Sequence, residues 1–257
     1  MRAHGAHFAT AALAACAAIL GTPAAAVATT HHRGHSHGRA ACSHARRFKT
    51  HSSSRGCVAG VRRASAGDAR RHRHEAAHPS ASAQRAAQRA AAIARVLATP
   101  CENTQLTPEP SNLEPAREAV VCLINRQRAQ AGEQPLLVDP RLQSAAESHD
   151  QELLSADYFA HVSPSGVTPV ERIRSTGYIP GREYGYLIGE NLAWGTLSLS
   201  TPQAIVEAWM ASPEHRANIL ESRYVDTGVA VVPAVPSSFS AGAAGATYAQ
   251  EFGTIIP

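Results

Sequence analysis

The sequence predicts an α+β fold over residues 101–257, a central, mainly antiparallel sheet covered by helices on both faces, preceded by a disordered basic tail. Three observations carry this. Capping residues followed by proline recur at Asp139-Pro140, Thr168-Pro169, Thr201-Pro202 and Ser212-Pro213, a regular series of helix starts. Runs of β-type composition come late, and a Gly/Ser/Ala-rich stretch separates the last two, as in an antiparallel hairpin. Charge and aromatic content also change abruptly near Pro100, which divides a tail from a domain.

The whole-chain balance of 24 basic and 20 acidic side chains, +4, hides that division. Residues 1–100 hold 15 Arg/Lys against Asp68 and Glu75, a balance of +13, with 11 of the 14 histidines. Residues 101–257 hold 9 basic and 18 acidic groups, a balance of −9. Every aromatic residue except Phe8 and Phe48 lies after residue 100, so only that part has the material for a core. The size points away from a multi-domain enzyme, and no apolar run approaches the roughly 20 residues of a membrane span.

The chain opens as a secretory signal over residues 1–28. Arg2, His4 and His7 precede the apolar stretch Phe8–Leu20, and small residues follow up to Ala26 and Ala28, where cleavage is expected. A second reading takes Leu13-Ala14-Ala15-Cys16 as a lipoprotein box with a lipid on Cys16. The signal-peptide reading is preferred because the apolar run continues through Ile19 and Leu20. Residues 29–100 are rich in His, Arg, Ser, Gly and Ala and read as a disordered spacer, although Ser82–Ala98 has helix-forming composition. His31, His32, His35 and His37 offer metal ligands and the arginines an anionic contact, such as wall polymers, while aromatics for nucleic-acid stacking are missing. Without Cys16, four cysteines remain and allow three connectivities. Cys101 with Cys122 is the preferred pair, the alternative being free thiols with Cys122 as a small core residue; the pairing of Cys42 and Cys57 stays open.

Within the domain, the first helix is expected from Pro115 to Ala131, with Ala116, Ala119, Val120, Leu123 and Ile124 on one face and Gly132 as its stop. The second starts at Asp139 and lines up Leu142, Ala145, Ala146, His149 and Leu153. Thr168 to Ser175 is a short third helix, opened by the capping box Thr168-Pro169-Val170-Glu171 and ended by Gly177. Pro202 to Ala211 carries Ile205, Val206, Trp209 and Met210, and Pro213 to Leu220 adds a turn or two. Strands are expected at Tyr184–Trp194, Thr227–Val235 and Thr247–Ile256.

Three histidines fall in the domain. His149 sits on an apolar stripe and reads as a core histidine. His161 precedes the turn-forming Val162-Ser163-Pro164-Ser165-Gly166, where side chains face a cleft, and His215 lies in a first helical turn beside Glu214. Glu190 is flanked by Leu187-Ile188 and Leu192-Ala193-Trp194, and a carboxylate in such a strand needs partners. No HExxH, GxSxG or Ser-x-x-Lys motif occurs, so neither a local zinc motif nor a serine-hydrolase motif is present.

Four ordered segments, CLINRQRAQAGEQPL (122–136), AESHDQELLSADYFAHVSPSGVTPVERI (146–173), GENLAWG (189–195) and AWMASPEHRANIL (208–220), resemble the CAP superfamily of cysteine-rich secretory, antigen 5 and pathogenesis-related proteins, in its exported bacterial, SCP-like branch. The resemblance spans roughly Val120 to Gly253 and implies an α-β-α sandwich with a shallow cavity lined by two His and two Glu. It further implies divalent metal in some members and sterols or fatty acids in others. By this likeness His161 is the first cavity histidine and Glu190 the first glutamate. Where eukaryotic members place the second glutamate this chain has Ser212, and their late-strand histidine is Thr247 here. The bacterial branch instead carries a histidine in Ser-Pro-x-His-Arg, which is His215.

His161, Glu190 and His215 thus form a candidate two-His, one-carboxylate set for zinc, with Ser212 also lining the cavity. The competing reading is a buried hydrogen-bonded network that fixes the cavity wall. The expected function is an exported, non-catalytic binding or interaction module of the cell envelope, needing no cofactor, with a lipid or envelope component as ligand. A metal-dependent hydrolase using the same three residues and a structural domain with a vestigial cavity are the alternatives.

Overall fold

The computed structural model describes residues 80–256. The expected signal sequence, the cysteines at 16, 42 and 57, and the tail up to residue 79 lie outside them. The first described element, α1 (Ala81–Ala98), is alanine-rich and capped by Ser80, whose hydroxyl accepts from the Ala83 amide. Gln134 Nε2 donates to the Arg89 carbonyl, tying α1 to the domain, so folded structure starts ahead of Cys101.

Helix α2 (Leu113–Gln130) buries the expected face of Ala116, Ala119, Val120, Leu123 and Ile124. The Cys101–Cys122 disulfide fastens the segment after α1 to it. Arg128 in its last turn is fully buried and donates to four carbonyls, of Gln134, Ile219, Glu221 and Tyr224. A guanidinium satisfied in this way closes one end of the domain without a carboxylate partner.

Strand β1 (Leu137–Val138) leads into α3 (Pro140–Ser155), then α4 (Pro169–Ser175), β2 (Gly185–Thr196), α5 (Pro202–Ala211), α6 (Pro213–Leu220), β3 (Asp226–Val232), the single turn α7 (Ser237–Ser240) and β4 (Gly245–Ile256). The capping box at Thr168/Glu171 is present, and the prolines open α3, α4, α5 and α6 as expected. The sheet order is β1-β3-β4-β2, with β2, β3 and β4 antiparallel and β1 parallel to β3. Two residues are too short to show an alternating pattern, which is why β1 was not legible in the sequence.

Side-chain alternation sorts the sheet into two packed faces. Leu192, Trp194, Ala230 and Ala249 meet Ala146 and Leu153 of α3. On the opposite face Ala193, Val229, Val231, Tyr248 and Phe252 meet Val120 and Ile124 of α2, Ile205 and Trp209 of α5 and Ile219 of α6. The architecture is therefore α-β-α. At Gly228 a side chain would run into the backbone of α3 at Leu142 and Gln143, so glycine sets how close that helix lies. The outer edge of β2 is covered from the other side: Trp209 Nε1 donates to the Leu192 carbonyl and Asn218 Nδ2 to that of Glu190. Edge carbonyls that would otherwise invite another strand are thereby occupied.

Candidate functional site

Glu190 is in β2 with its side chain on the α3 face, as the alternation with Leu192 and Trp194 requires. His161 reaches it from the loop after α3. Asp157, at φ 52°, turns the chain there, and Tyr158 and Phe159 pack against the α3-face core. His149, wholly buried on α3, fixes the same loop through its Nε2 and the Ala160 carbonyl at 3.1 Å. It is a core histidine, as expected, with a positioning task.

The centre of the site is a chain of charge-assisted bonds. His161 Nδ1 and Glu190 Oε1 are 2.6 Å apart, and Arg172 Nη2 donates to Glu190 Oε2 at 2.7 Å. Arg172 also donates to the carbonyls of His161 (2.8 Å) and Val167 (3.3 Å), so one guanidinium from α4 clamps both ends of the turn onto the strand. From the same turn, Ser163 Oγ donates to Glu152 Oε2 of α3 at 2.6 Å. Burial pushes the Glu190 carboxyl up, but the His161 hydrogen bond and the charges of Arg172 and His149 outweigh it and hold it well below the usual range. Its partner His161 is raised by that same hydrogen bond, against an opposing effect of burial. The His161 side chain is 54% exposed, so its imidazole reaches solvent while its carboxylate partner stays buried.

Behind this pair lie two carboxyl groups. Glu251 of β4 pairs directly with Glu190 across the β2–β4 ladder, and Asp150 of α3 faces the same layer; both are fully buried, and none of their four carboxylate oxygens has a donor among the described residues. Burial, then the Glu190 charge, raises both well above the carboxylate range. Two unpaired carboxylates could not remain ionised there, and the proton is the cheapest neutraliser.

His215 is placed differently. It belongs to α6, on the far side of the β2 edge, and its Nδ1 meets Ser212 Oγ at 2.7 Å; its carbonyl accepts from Asn191 Nδ2 at 3.2 Å. Asn218 Nδ2 bonds both the Glu190 carbonyl and Asn191 Oδ1. Burial and the nearby His161 charge lower His215, which keeps it neutral near pH 7. The structure thus brings His161 and Glu190 into contact and sets His215, in α6, and Ser212, at its start, apart from them, hydrogen-bonded to each other and not to that pair.

As a zinc set the three residues fit poorly. Both Glu190 oxygens are already engaged, one by a guanidinium, and no group of three His, Cys, Asp or Glu side chains among the described residues is arranged to hold a metal ion.

The residues that sequence reasoning missed are Arg172, Glu251 and Asp150. Arg172 looks like one charge in a short polar helix, and no local signal marks it as buried. Glu251 did carry one, because it sits between Tyr248-Ala249-Gln250 and Phe252 in a run that reads as a buried strand.

Residues 121–242 match the family described as the cysteine-rich secretory protein family, CAP. The chain is 34% identical over 135 residues to the uncharacterized protein YkwD of Bacillus subtilis, a stretch covering 52% of this chain and 49% of that protein. It therefore spans about half the length of the curated relative it matches. Among solved structures it is similar to an extracellular protein containing an SCP domain from Bacillus anthracis, at 23% identity and a TM-score of 0.44, covering 56% of this chain and 43% of the other. It is also similar to an outer surface protein of Borrelia burgdorferi, at 19% identity and a TM-score of 0.45, covering 55% of this chain and 93% of the other. Residues 121–242 thus match the cysteine-rich secretory protein (CAP) family, and the chain is similar to a bacterial relative over 135 residues.

Proposed function

We propose that the protein is exported and acts as a binding or interaction module of the cell envelope or exterior, its CAP domain recognising a lipid or another envelope component and its basic tail associating with anionic wall polymers. The observation that carries this reading is the His161–Glu190–Arg172 chain. Both carboxylate oxygens and the guanidinium are spent on holding one half-exposed imidazole, which supports a recognition point more than a metal-activated water. The N-terminal apolar stretch with small residues after it supports export, and the +13 balance of residues 1–100 supports an electrostatic hold on anionic polymers.

The test is sedimentation of the mature chain with purified wall fragments and with phosphatidylglycerol vesicles, beside His161→Ala. Tail retention on wall fragments weakens as salt rises and strengthens below about pH 6.5, as its histidines charge. Domain binding, measured in high salt, falls in His161→Ala. Retention that salt leaves unchanged overturns the tail assignment, and equal binding by the variant overturns the cleft assignment. Zinc titration of the same samples separates the metal-hydrolase alternative, which requires binding at micromolar supply that His161→Ala and His215→Ala abolish.

A further inference from the structure

We infer that Ser212 and His215 form a nucleophile–base pair that cleaves carboxylic esters by way of a covalent acyl group on Ser212. The inference goes beyond the recognition role and uses residues apart from the His161–Glu190 pair.

A serine at the start of a helix ordinarily accepts a hydrogen bond from an amide of the first turn. Ser212 occupies that position in α6 but makes no such capping bond; its hydroxyl is engaged instead by His215 Nδ1, at 2.7 Å. That distance is the reach expected of a nucleophile and its base, and such pairs are recognised by geometry and not by position in a motif. Ser212 is half-buried and open to a ligand, whereas His215 is buried, so the hydroxyl is accessible and its proton acceptor is sheltered. The pair is also held still. Asn191 bonds the His215 carbonyl, and Asn218 ties the following turn to the Glu190 carbonyl and the Asn191 side chain. Pro213 has no amide proton, and with Ser212 turned to the imidazole the amides of Glu214 and His215 in the first turn of α6 receive no side-chain cap. Donors in that position stabilise an oxyanion.

The step balances without a metal or oxidant. Ser212 Oγ bonds to the ester carbonyl carbon as its proton passes to His215 Nδ1. The tetrahedral adduct then expels the alcohol, which takes that proton. Water attacks the acyl-serine, gives a proton to Nδ1, and the released Ser212 oxygen recovers it, leaving a carboxylic acid.

The test uses the mature chain with a fluorophosphonate probe and p-nitrophenyl acetate. Mass spectrometry is expected to find the phosphonyl group on Ser212, and Ser212→Ala to lose both labelling and turnover. His215→Gln is expected to slow both by at least about 100-fold. Urea unfolding of each variant checks that it folds. Ser212→Cys provides an independent readout: its thiol reacts with iodoacetamide with a midpoint below the usual thiol value of about 8.5, and His215→Gln in the same chain abolishes that shift. A serine that only terminates α5 and starts α6 would change stability and give neither label nor shifted thiol. Label on another serine, or hydrolysis no faster than in folded Ser212→Ala, overturns the inference. A small activated ester needs no envelope ligand, so failure of the recognition role leaves this result readable.

Discussion

Replacing Glu251 by glutamine should stabilise the domain above mildly acidic pH, by an amount that grows with pH. Glu251 is fully buried opposite Glu190, and burial with the Glu190 charge keeps it protonated in the folded chain. In the unfolded chain it titrates near the ordinary glutamate value of about 4.3. Below that pH both states hold the proton and nothing is lost. Above it the unfolded chain releases the proton and the folded chain does not, so stability falls by up to about 1.4 kcal/mol per pH unit until the folded value is reached. Glutamine has nearly the same shape and carries no such proton. Between pH 4.5 and 6.5 the gap between Glu251→Gln and the parent should widen by up to about 2.7 kcal/mol.

The assay is urea unfolding of both proteins at half-unit intervals over that range. His161, raised by Glu190, adds stability that fades as pH rises above about 6.5, whereas His149 and His215, lowered mainly by burial, favour the folded chain as pH rises toward that value. These contributions are common to the two proteins and drop out of the difference. Parallel curves, or a uniform loss in the variant, would refute the claim that Glu251 is held protonated.

Two further outcomes follow from the clamp and the latch. Arg172→Met removes the guanidinium bonded to the buried Glu190 and should cost about 3–5 kcal/mol in urea unfolding, the usual penalty for stranding one member of a buried ion pair, while Glu190→Gln in the same chain recovers part of it. Asn218→Ala should cost about 1–3 kcal/mol by leaving the Glu190 carbonyl and Asn191 Oδ1 short of a donor, and amide exchange should accelerate in α6 before it does in α3.

What the sequence revealed follows the range of the physics behind it. Helix starts depend on contacts within a few residues, so the Ser/Thr/Asp-Pro steps located α3 to α6. His161 and Glu190 were identifiable because a histidine at a turn and a carboxylate in an apolar strand are each unusual locally. Their mutual contact spans 29 residues and became an expectation only through the family likeness. Arg172 was invisible because its burial comes from the turn it clamps, and Asp150 because α3 presents it to a sheet face that only the strand register defines. His215 was grouped with the other two through the family likeness. Helices α5 and α6 both exist, but Ser212 between them is extended, at φ −89° and ψ 121°, and α6 docks on the strand edge.

That geometry gives Gly189-Glu190-Asn191 a reason beyond its acidic residue. A side chain at 189 would strike the Tyr224 hydroxyl, so glycine lets that ring close against the strand. At 190 the side chain turns toward α3 and holds His161, while the carbonyl turns toward α6 and accepts from Asn218. At 191 the side chain leaves by the other face and secures the carbonyl of His215. Three successive residues of one edge strand therefore set the positions of both His161 and His215, because alternation sends neighbouring side chains to opposite layers. Any shift of β2 along its partner β4 would displace His161 and the Ser212–His215 pair together, and the twelve-residue ladder between these strands opposes that shift. The separation of His161 from the Ser212–His215 pair is thus fixed by the sheet.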